Sequence, residues 1–285
     1  MATSPGVSIR EMVGADIPTG LRLCRASQWN QTERDWEHFL TAAPGHALVA
    51  VEHGAVVGTV AALPYGSFTW ISMVLVDPTM RGKGIGTTLL TRGLALVPQG
   101  STARLDATPA GEVIYRKLDF VEEYGLTRLF LDSRPSGVVR GPGVRLLESS
   151  DWPALLEMDL RAFGASRASL LERFAAGSPG YAWVAEDHGR LHGYLMGRHG
   201  HDRDQIGPLV AESAATARVL LDAVLASRTR PEIFIDVPEH QREFRERLAQ
   251  LGFAVERPFL RMYRGRLTTP GLPSVVYAIT GPEFG

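Results

Sequence analysis

The sequence predicts an α/β (α+β) fold built as two like domains in tandem, and three observations carry that reading. The chain has 285 residues, too many for one typical domain and comfortable for two. Short motifs of the first half recur in the second, in the same order. Within each half, strand-like and helix-like runs alternate.

The repeat opens on Asp16-Ile17-Pro18, which follows a strand-like Val7 to Met12, and on Asp151-Trp152-Pro153, which follows Val144 to Leu147. An Asp N-cap with Pro two residues later suits a helix start. Ala47-Leu48-Val49-Ala50 leads to His53-Gly54, and Ala182-Trp183-Val184-Ala185 leads to His188-Gly189 at the same offset. Both read as β-hairpins with Gly at the turn. Further on, Val76-Asp77-Pro78 aligns with Ile206-Gly207-Pro208, Leu105-Asp106 with Ile235-Asp236, and Leu118-Asp119-Phe120 with Leu251-Gly252-Phe253. Each copy reads strand, helix, helix, hairpin, strand, helix, strand, helix, then a closing strand pair. The expected domains are 1–137 and 143–266, joined by the Pro/Gly/Ser-rich Arg134 to Pro142. A tail, 267–285, carries a strand-like Val275 to Ile279 that pairs with an unspecified sheet edge.

Composition narrows the function classes. Hydrophobic residues make up 45% and charged residues 21%, as in an ordinary soluble protein. A formal net charge of −1 gives no overall attraction to nucleic acid or an anionic membrane, so neither is expected as a partner. Cys24 stands alone, which rules out an intrachain disulfide and fits a reducing compartment. The start of the chain lacks a signal pattern, and no apolar run reaches the roughly 18 residues of a membrane span. The expected location is cytoplasmic.

The chemistry concentrates in one loop. Ile71 to Val76 is an apolar run with β-branched residues, the pattern of a central strand buried on both faces. From Gly84 onward, Ile85, Leu89, Leu90, Leu96 and Val97 form a helical stripe. Between them lies Arg81-Gly82-Lys83-Gly84-Ile85-Gly86. Glycines there let backbone amides approach and point at a ligand, and a helix N-terminus adds partial positive charge. Such a loop suits a phosphate or pyrophosphate. It is not a Walker A loop, because Gly84 follows Lys83 where Ser or Thr is needed. Nor is it a dinucleotide fingerprint, because Thr87 occupies the third glycine's place.

The spacing Arg-x-x-Gly-x-Gly resembles motif A of the GNAT N-acetyltransferase superfamily, in which the loop amides hold the pyrophosphate of acyl-CoA. A second stretch agrees. Leu105-Asp106-Ala107-Thr108, then Ile114-Tyr115-Arg116-Lys117-Leu118-Asp119-Phe120, is similar to the superfamily's motif B, with Thr108 in place of Asn and Asp119 in place of Gly. The resemblance implies that each domain is a mixed, mostly antiparallel twisted sheet flanked by helices, and that acetyl-CoA is the co-substrate. It implies that Met73, Val74, Leu75 and Val76 meet the pantetheine and polarise the thioester through backbone amides. Arg81, Gly82, Lys83, Gly84, Ile85, Gly86 and Thr87 would hold the pyrophosphate. Tyr115 stands where the family places the general acid that protonates the departing thiolate. The activity implied is transfer of an acetyl group to a primary amine of a small molecule by direct attack. A protein N-terminus or lysine as acceptor, and a CoA-binding sensor without turnover, are the competing readings.

No residue declares itself as the base. Glu33, Glu37 and His38 lie on a helical stretch that lines the acceptor cleft in this fold. Trp29, Asn30, Gln31 and Trp70 are candidates for the acceptor pocket, with Trp36 and Trp70 equally readable as core. The second copy retains the scaffold and lacks the chemistry. Ala211 to Thr216 aligns with Arg81 to Gly86 and contains neither glycine nor a basic residue, and Leu248 takes the place of Tyr115. The second domain is therefore expected to be non-catalytic. His199, His201, Asp202 and Asp204 read as a solvated hairpin loop, and no metal is expected.

Overall fold

Turn chemistry sets the two hairpins. In a computed structural model describing residues 6–267 and 271–285, His53-Gly54 and His188-Gly189 each place two consecutive residues at positive φ. That backbone matches the twist of flanking strands. Residues 1–5 of the expected first domain and 268–270 of the expected tail lie outside the described residues.

The first half runs β1 (Val7–Glu11), α1 (Ile17–Ala26), α2 (Glu33–Ala42), β2 (Ala47–Glu52), β3 (Ala55–Pro64), β4 (Phe68–Val76), α3 (Ile85–Leu94), β5 (Thr102–Ala107), α4 (Pro109–Arg116) and β6 (Val121–Leu131). The second runs β7 (Val144–Leu146), α5 (Trp152–Phe163), α6 (Ala168–Gly177), β8 (Trp183–Asp187), β9 (Arg190–Arg198), β10 (Asp204–Ala211), α7 (Ala214–Ser227), β11 (Ile233–Pro238), α8 (Arg242–Gln250) and β12 (Ala254–Arg264). A last strand, β13 (Val276–Ala278), follows. The two halves repeat one local device that differs from the cap expected from sequence. Asp16 and Asp151 precede α1 and α5, yet their carboxylates do not cap those helices. Each turns back to form a two-pronged ion pair, with Arg10 or Arg145 on the preceding strand. A guanidinium with two parallel N–H bonds outcompetes a single helix amide, and it holds both carboxyls below their usual range.

The halves share a single sheet, ordered β1-β2-β3-β4-β5-β12-β6-β11-β10-β9-β8-β7. The closing strands are exchanged. Strand β12, from the second half, inserts between β5 and β6, and β6 lies against β11. Buried ion pairs fix this register. Arg261 sits opposite Asp106 and binds it with two bonds of 2.8 Å; Arg128 sits opposite Asp236 with bonds of 2.7 and 2.8 Å. Shifting either pairing by one residue would leave its two charges buried and unmatched. One core cluster accordingly mixes the halves, with Trp36 and Phe39 beside Phe163, Phe174 and Phe284.

Each half also contains a wedge. Strand β4 pairs in parallel with β5 only from Phe68 to Trp70, and β10 with β11 only from Asp204 to Ile206. Beyond these points the strands splay. In the second half β13 fills the wedge: it pairs antiparallel with β10, and the Ile279 amide donates to the Asp236 carbonyl on β11 (3.0 Å). The strand expected in the tail thus acquires its partner. Gly207 carries φ of +144°, and a Cβ there would fall on the Ile279 carbonyl oxygen. Gly207→Ala is expected to destabilise the fold by about 1–3 kcal/mol through overpacking, read as a lower denaturation midpoint. An unchanged midpoint would show that β13 does not occupy the wedge in solution.

The structure also corrects the alignment of the copies near this point. Gly58 pairs with Val76, and the matching Gly193 pairs with Ala211, so Val76 corresponds to Ala211 rather than to Ile206. The Gly207-Pro208 dipeptide lies inside β10 and only mimics Asp77-Pro78. Residues 77–84 join β4 to α3, whereas only Glu212 and Ser213 join β10 to α7.

Candidate active site

A bulge shapes the open wedge of the first half. Met73, within β4, adopts φ of +53°. The pairing with β3 shifts between Thr59 and Ala61. Thr59 Oγ1, fully buried, donates to the Met73 carbonyl at 2.7 Å and holds the bulge from the β3 side. A bulge re-aims the peptide groups beside it. The edge of Val74, Leu75 and Val76 that faces β5 is left without a strand partner among the described residues.

The glycine loop follows directly. Gly82 and Gly84 take φ of +81° and +79°, and Gly84 precedes the first turn of α3. At both positions a Cβ would meet open space, so conformation rather than crowding calls for glycine there. Gly86 has ordinary backbone and would bring a Cβ only into contact with Val76 at 3.4 Å. Arg81 is anchored at the rim: its Nε donates to the Val76 carbonyl (3.3 Å) and Nη2 to Ser27 Oγ (3.5 Å). Lys83 Nζ lies 3.4 Å from Met80 Sδ. The start of the loop is tied to α1 through Asp77 and Arg22, 2.7 Å apart. That guanidinium, with the Thr79 hydroxyl and amide, lowers the Asp77 carboxyl to about 2.

A cavity of about 940 Å³ runs along this wedge. Met73–Val76, Arg81, Gly82, Gly84–Thr87, Tyr115, Trp29 and Gln31 all line it; Lys83, Asn30 and Trp70 do not. Asn30 is engaged elsewhere. Its side chain accepts from the Asp202 and Arg203 amides and donates to the Arg203 carbonyl, clamping the first half to the β9–β10 loop. Trp70 is fully buried, with Nε1 on the Pro282 carbonyl (2.9 Å) and the Arg261 guanidinium 4.7 Å over its ring. Trp36 is core as well. Glu33, Glu37 and His38 also stand away from the cavity. Glu37 pairs with Arg173 at 2.5 Å. Burial, then the nearby Arg173 charge, lowers His38 to about 4.

Tyr115 lines the cavity from α4, whose start is capped by Thr108. Its ring packs 5.8 Å from that of Phe120, and burial pushes its phenol up to about 12. It is therefore protonated at neutral pH. The two departures noted in motif B are both accommodated. Thr108 Oγ1 accepts from the Gly111 amide (3.3 Å), and Asp119 takes the left-handed φ of +62° that Asp tolerates.

Four further residues at the cavity come from elements to which the sequence assigned no chemistry. Arg128 lies on β6, Arg257 and Phe259 on β12, and Glu283 on the last segment. A charged residue among the apolar Leu126, Leu129, Phe130 and Leu131 of β6, as at Arg128, was the available signal. Asp106 also reaches the cavity, already paired with Arg261.

The second half offers nothing comparable. Its wedge holds β13, its loop is reduced, and Glu212 there pairs with Arg190 (2.5 Å) and His192 (2.8 Å). Leu248 is fully buried. In the His/Asp loop, Asp204 is engaged by Tyr181 (2.5 Å), His199 (3.2 Å) and Arg230 (3.3 Å). Cys24 is buried, which pushes its thiol up to about 12. No helix among the described residues is long and apolar enough to cross a membrane.

Comparison with known proteins agrees with this geometry. Residues 19–120 match the family described as Acetyltransferase (GNAT) family, and residues 155–278 match Acetyltransferase (GNAT) domain. The chain is 23% identical over 201 residues to the uncharacterized N-acetyltransferase YitH of Bacillus subtilis, covering 70% of this chain and 71% of that one. It resembles a putative acetyltransferase from Pyrococcus horikoshii with a TM-score of 0.83 and 26% identity, covering 99% of this chain and 96% of that one. A tandem GNAT protein from the clavulanic acid biosynthesis pathway shares the fold, at a TM-score of 0.64 and 18% identity over 90% of this chain and 98% of that one. The chain belongs to the GNAT superfamily and is an acetyltransferase with two GNAT domains in tandem.

Proposed function

We propose that the chain transfers the acetyl group of acetyl-CoA to a primary amine of a small molecule, using one site, in the first half. Acetyl-CoA supplies the activated thioester. The residues fit it: Met73–Val76 line the open wedge, and Gly82 and Gly84 shape a loop of amides at the α3 N-terminus. Tyr115 Oη is the proposed donor to the leaving sulfur. The observation that carries the choice of acceptor is the far wall of the cavity. There β6, β12 and the last segment add a wall carrying Arg128, Arg257, Phe259 and Glu283, which supports a small acceptor over a polypeptide.

A thiol-release assay over a panel of small primary amines, with a peptide bearing a free N-terminus alongside, tests this. Turnover with an amine but not the peptide is expected. Peptide turnover alone would move the acceptor class, and saturable acetyl-CoA binding without turnover on any acceptor would favour the sensor reading. Crowding also positions Tyr115. A Cβ on Gly111 would lie 2.8 Å from its ring. Gly111→Ala is therefore expected to displace the ring and lower kcat by about tenfold, with acetyl-CoA affinity retained. An unchanged kcat would show that the ring needs no such placement.

A further inference from the structure

The segment after β13 is the least expected wall of the cavity. β13 sits in the wedge of the second half, where the first half keeps its wedge open, and the chain then runs on through Thr280 and Gly281 to Glu283. Glu283 is only 3% exposed and lines the cavity with Pro282. It is held there from both sides. Arg198 donates to its carboxylate and to the Thr280 carbonyl (2.8 Å), and Phe284 stacks on Phe39 at 5.0 Å.

This carboxylate shares its counter-charge. Arg198 serves two buried carboxylates, Glu283 and Asp35 on α2 (3.1 Å). The neighbouring buried pairs are one to one: Arg128 with Asp236, Arg261 with Asp106, and Arg167 with Asp159. Arg257, on the cavity wall, binds Glu256, and Arg173, away from the cavity, binds Glu37. His38, edge-on to Phe284, is neutral above a pKa of about 4. Glu283 thus has only a shared counter-charge and lines the cavity at a place with little water. Arg25, on the Trp29 and Gln31 carbonyls, and Arg81, on the Val76 carbonyl and Ser27 hydroxyl, sit beside the cavity without a carboxylate partner among the described residues. A buried charge is costly unless it is matched.

Two other polar groups on the lining of the same cavity are unfinished. Gln31 Oε1 and Ser72 Oγ belong to cavity-lining residues, are buried, and have no hydrogen-bond partner among the described residues. Buried polar atoms in native proteins are nearly always satisfied, so a bound group is the natural partner. Glu283, Gln31 and Ser72 together offer three acceptors, and an ammonium carries three N–H donors.

We propose that Glu283, with Gln31 and Ser72, forms the ammonium subsite that selects a cationic primary amine as acceptor. The amine gives one proton to solvent before it attacks as the neutral form. The proton lost as the amide forms and the C–S bond breaks replaces the one Tyr115 passes to the sulfur. This rests on the amine-acetyltransferase reading above. The second half then contributes to the site, because its wedge is the slot in which β13 docks, and docking β13 places Glu283 in the first half's cavity.

Titration calorimetry of the full chain tests the subsite without turnover. The probes are n-hexylamine, 2-phenylethylamine and 1,4-diaminobutane at neutral pH in the presence of CoA, with 1-hexanol as the uncharged counterpart. At least one amine is expected to bind saturably and 1-hexanol not to bind. Glu283→Gln keeps an oxygen for Arg198 but removes the charge, and is expected to weaken the amine at least about tenfold. CoA affinity should stay unchanged in that variant. Should Glu283→Gln fail to fold, Gln31→Leu reports on the same subsite and is expected to weaken the amine several-fold. Binding of none of the amines to the wild type, equal binding by the variant that folds, or equal binding of 1-hexanol overturns the subsite. Failure of the acetyl-transfer reading has a separate signature: amine binding that depends on Glu283, with no thiol released.

Discussion

Replacing Gly84 by valine is expected to raise the acetyl-CoA dissociation constant at least about 100-fold, with the fold intact. The reasoning is conformational. Gly84 holds φ of +79°, and a left-handed residue costs an L-amino acid about 1–2 kcal/mol, more for a β-branched one. The open space at that position means that no protein atom resists the new side chain. The loop instead escapes the strain by rotating away, which takes its amides off the ligand and closes the space the ligand needs. Together these effects reach the roughly 2.7 kcal/mol that a 100-fold change represents. Gly86→Ala is the internal control, because its backbone is ordinary and its Cβ only touches Val76; binding should fall much less. Calorimetry with acetyl-CoA and a melting curve check both variants. Unchanged affinity in Gly84→Val would remove the loop from the binding site.

What the sequence made legible was local. Hairpin turns, the glycine loop and the helix after it depend on residues within a few positions of one another, and Asp119 even fills the left-handed place of its motif's glycine. Pairing between distant strands is not encoded that way. Alternation in Val121–Leu131 or Ala254–Arg264 identifies strands, but not which neighbours they choose. The exchange of β6 and β12 is fixed by partners such as Arg261 with Asp106, whose match emerges only in three dimensions.

The acceptor side was legible for the same reason only in part. Trp29 and Gln31 reach the cavity, whereas Asn30 between them faces the β9–β10 loop. Adjacent residues at a turn diverge, and composition cannot say which way each points. Trp70 shows the opposite limit: an aromatic near the central strand is equally suited to core, and a cation over its face together with a bond to Pro282 holds it there. The misplaced Gly207-Pro208 match shows how a shared dipeptide can outweigh strand register when the intervening loop has shortened. Glu283 had no signal at all, because its position depends on β13 lying in the other half's wedge.

Tyr115→Phe is the test of the chemical step, and kcat is expected to fall about 100-fold, the lower range for loss of a general acid. The phenol is a donor over the whole working range. Its proton-bound form persists up to about pH 12, because burial disfavours the phenolate, so rising pH does not remove the donor until then. At neutral pH the Tyr115 oxygen therefore carries its proton. The phenyl ring that remains can still pack on Phe120 and over Gly111, so the melting temperature and the acetyl-CoA dissociation constant should stay within experimental scatter. That pattern, kcat lost with binding kept, marks an interaction made in the transition state rather than the ground state. Undiminished kcat in Tyr115→Phe would reduce Tyr115 to packing, and a parallel loss of acetyl-CoA affinity would make it a binding residue.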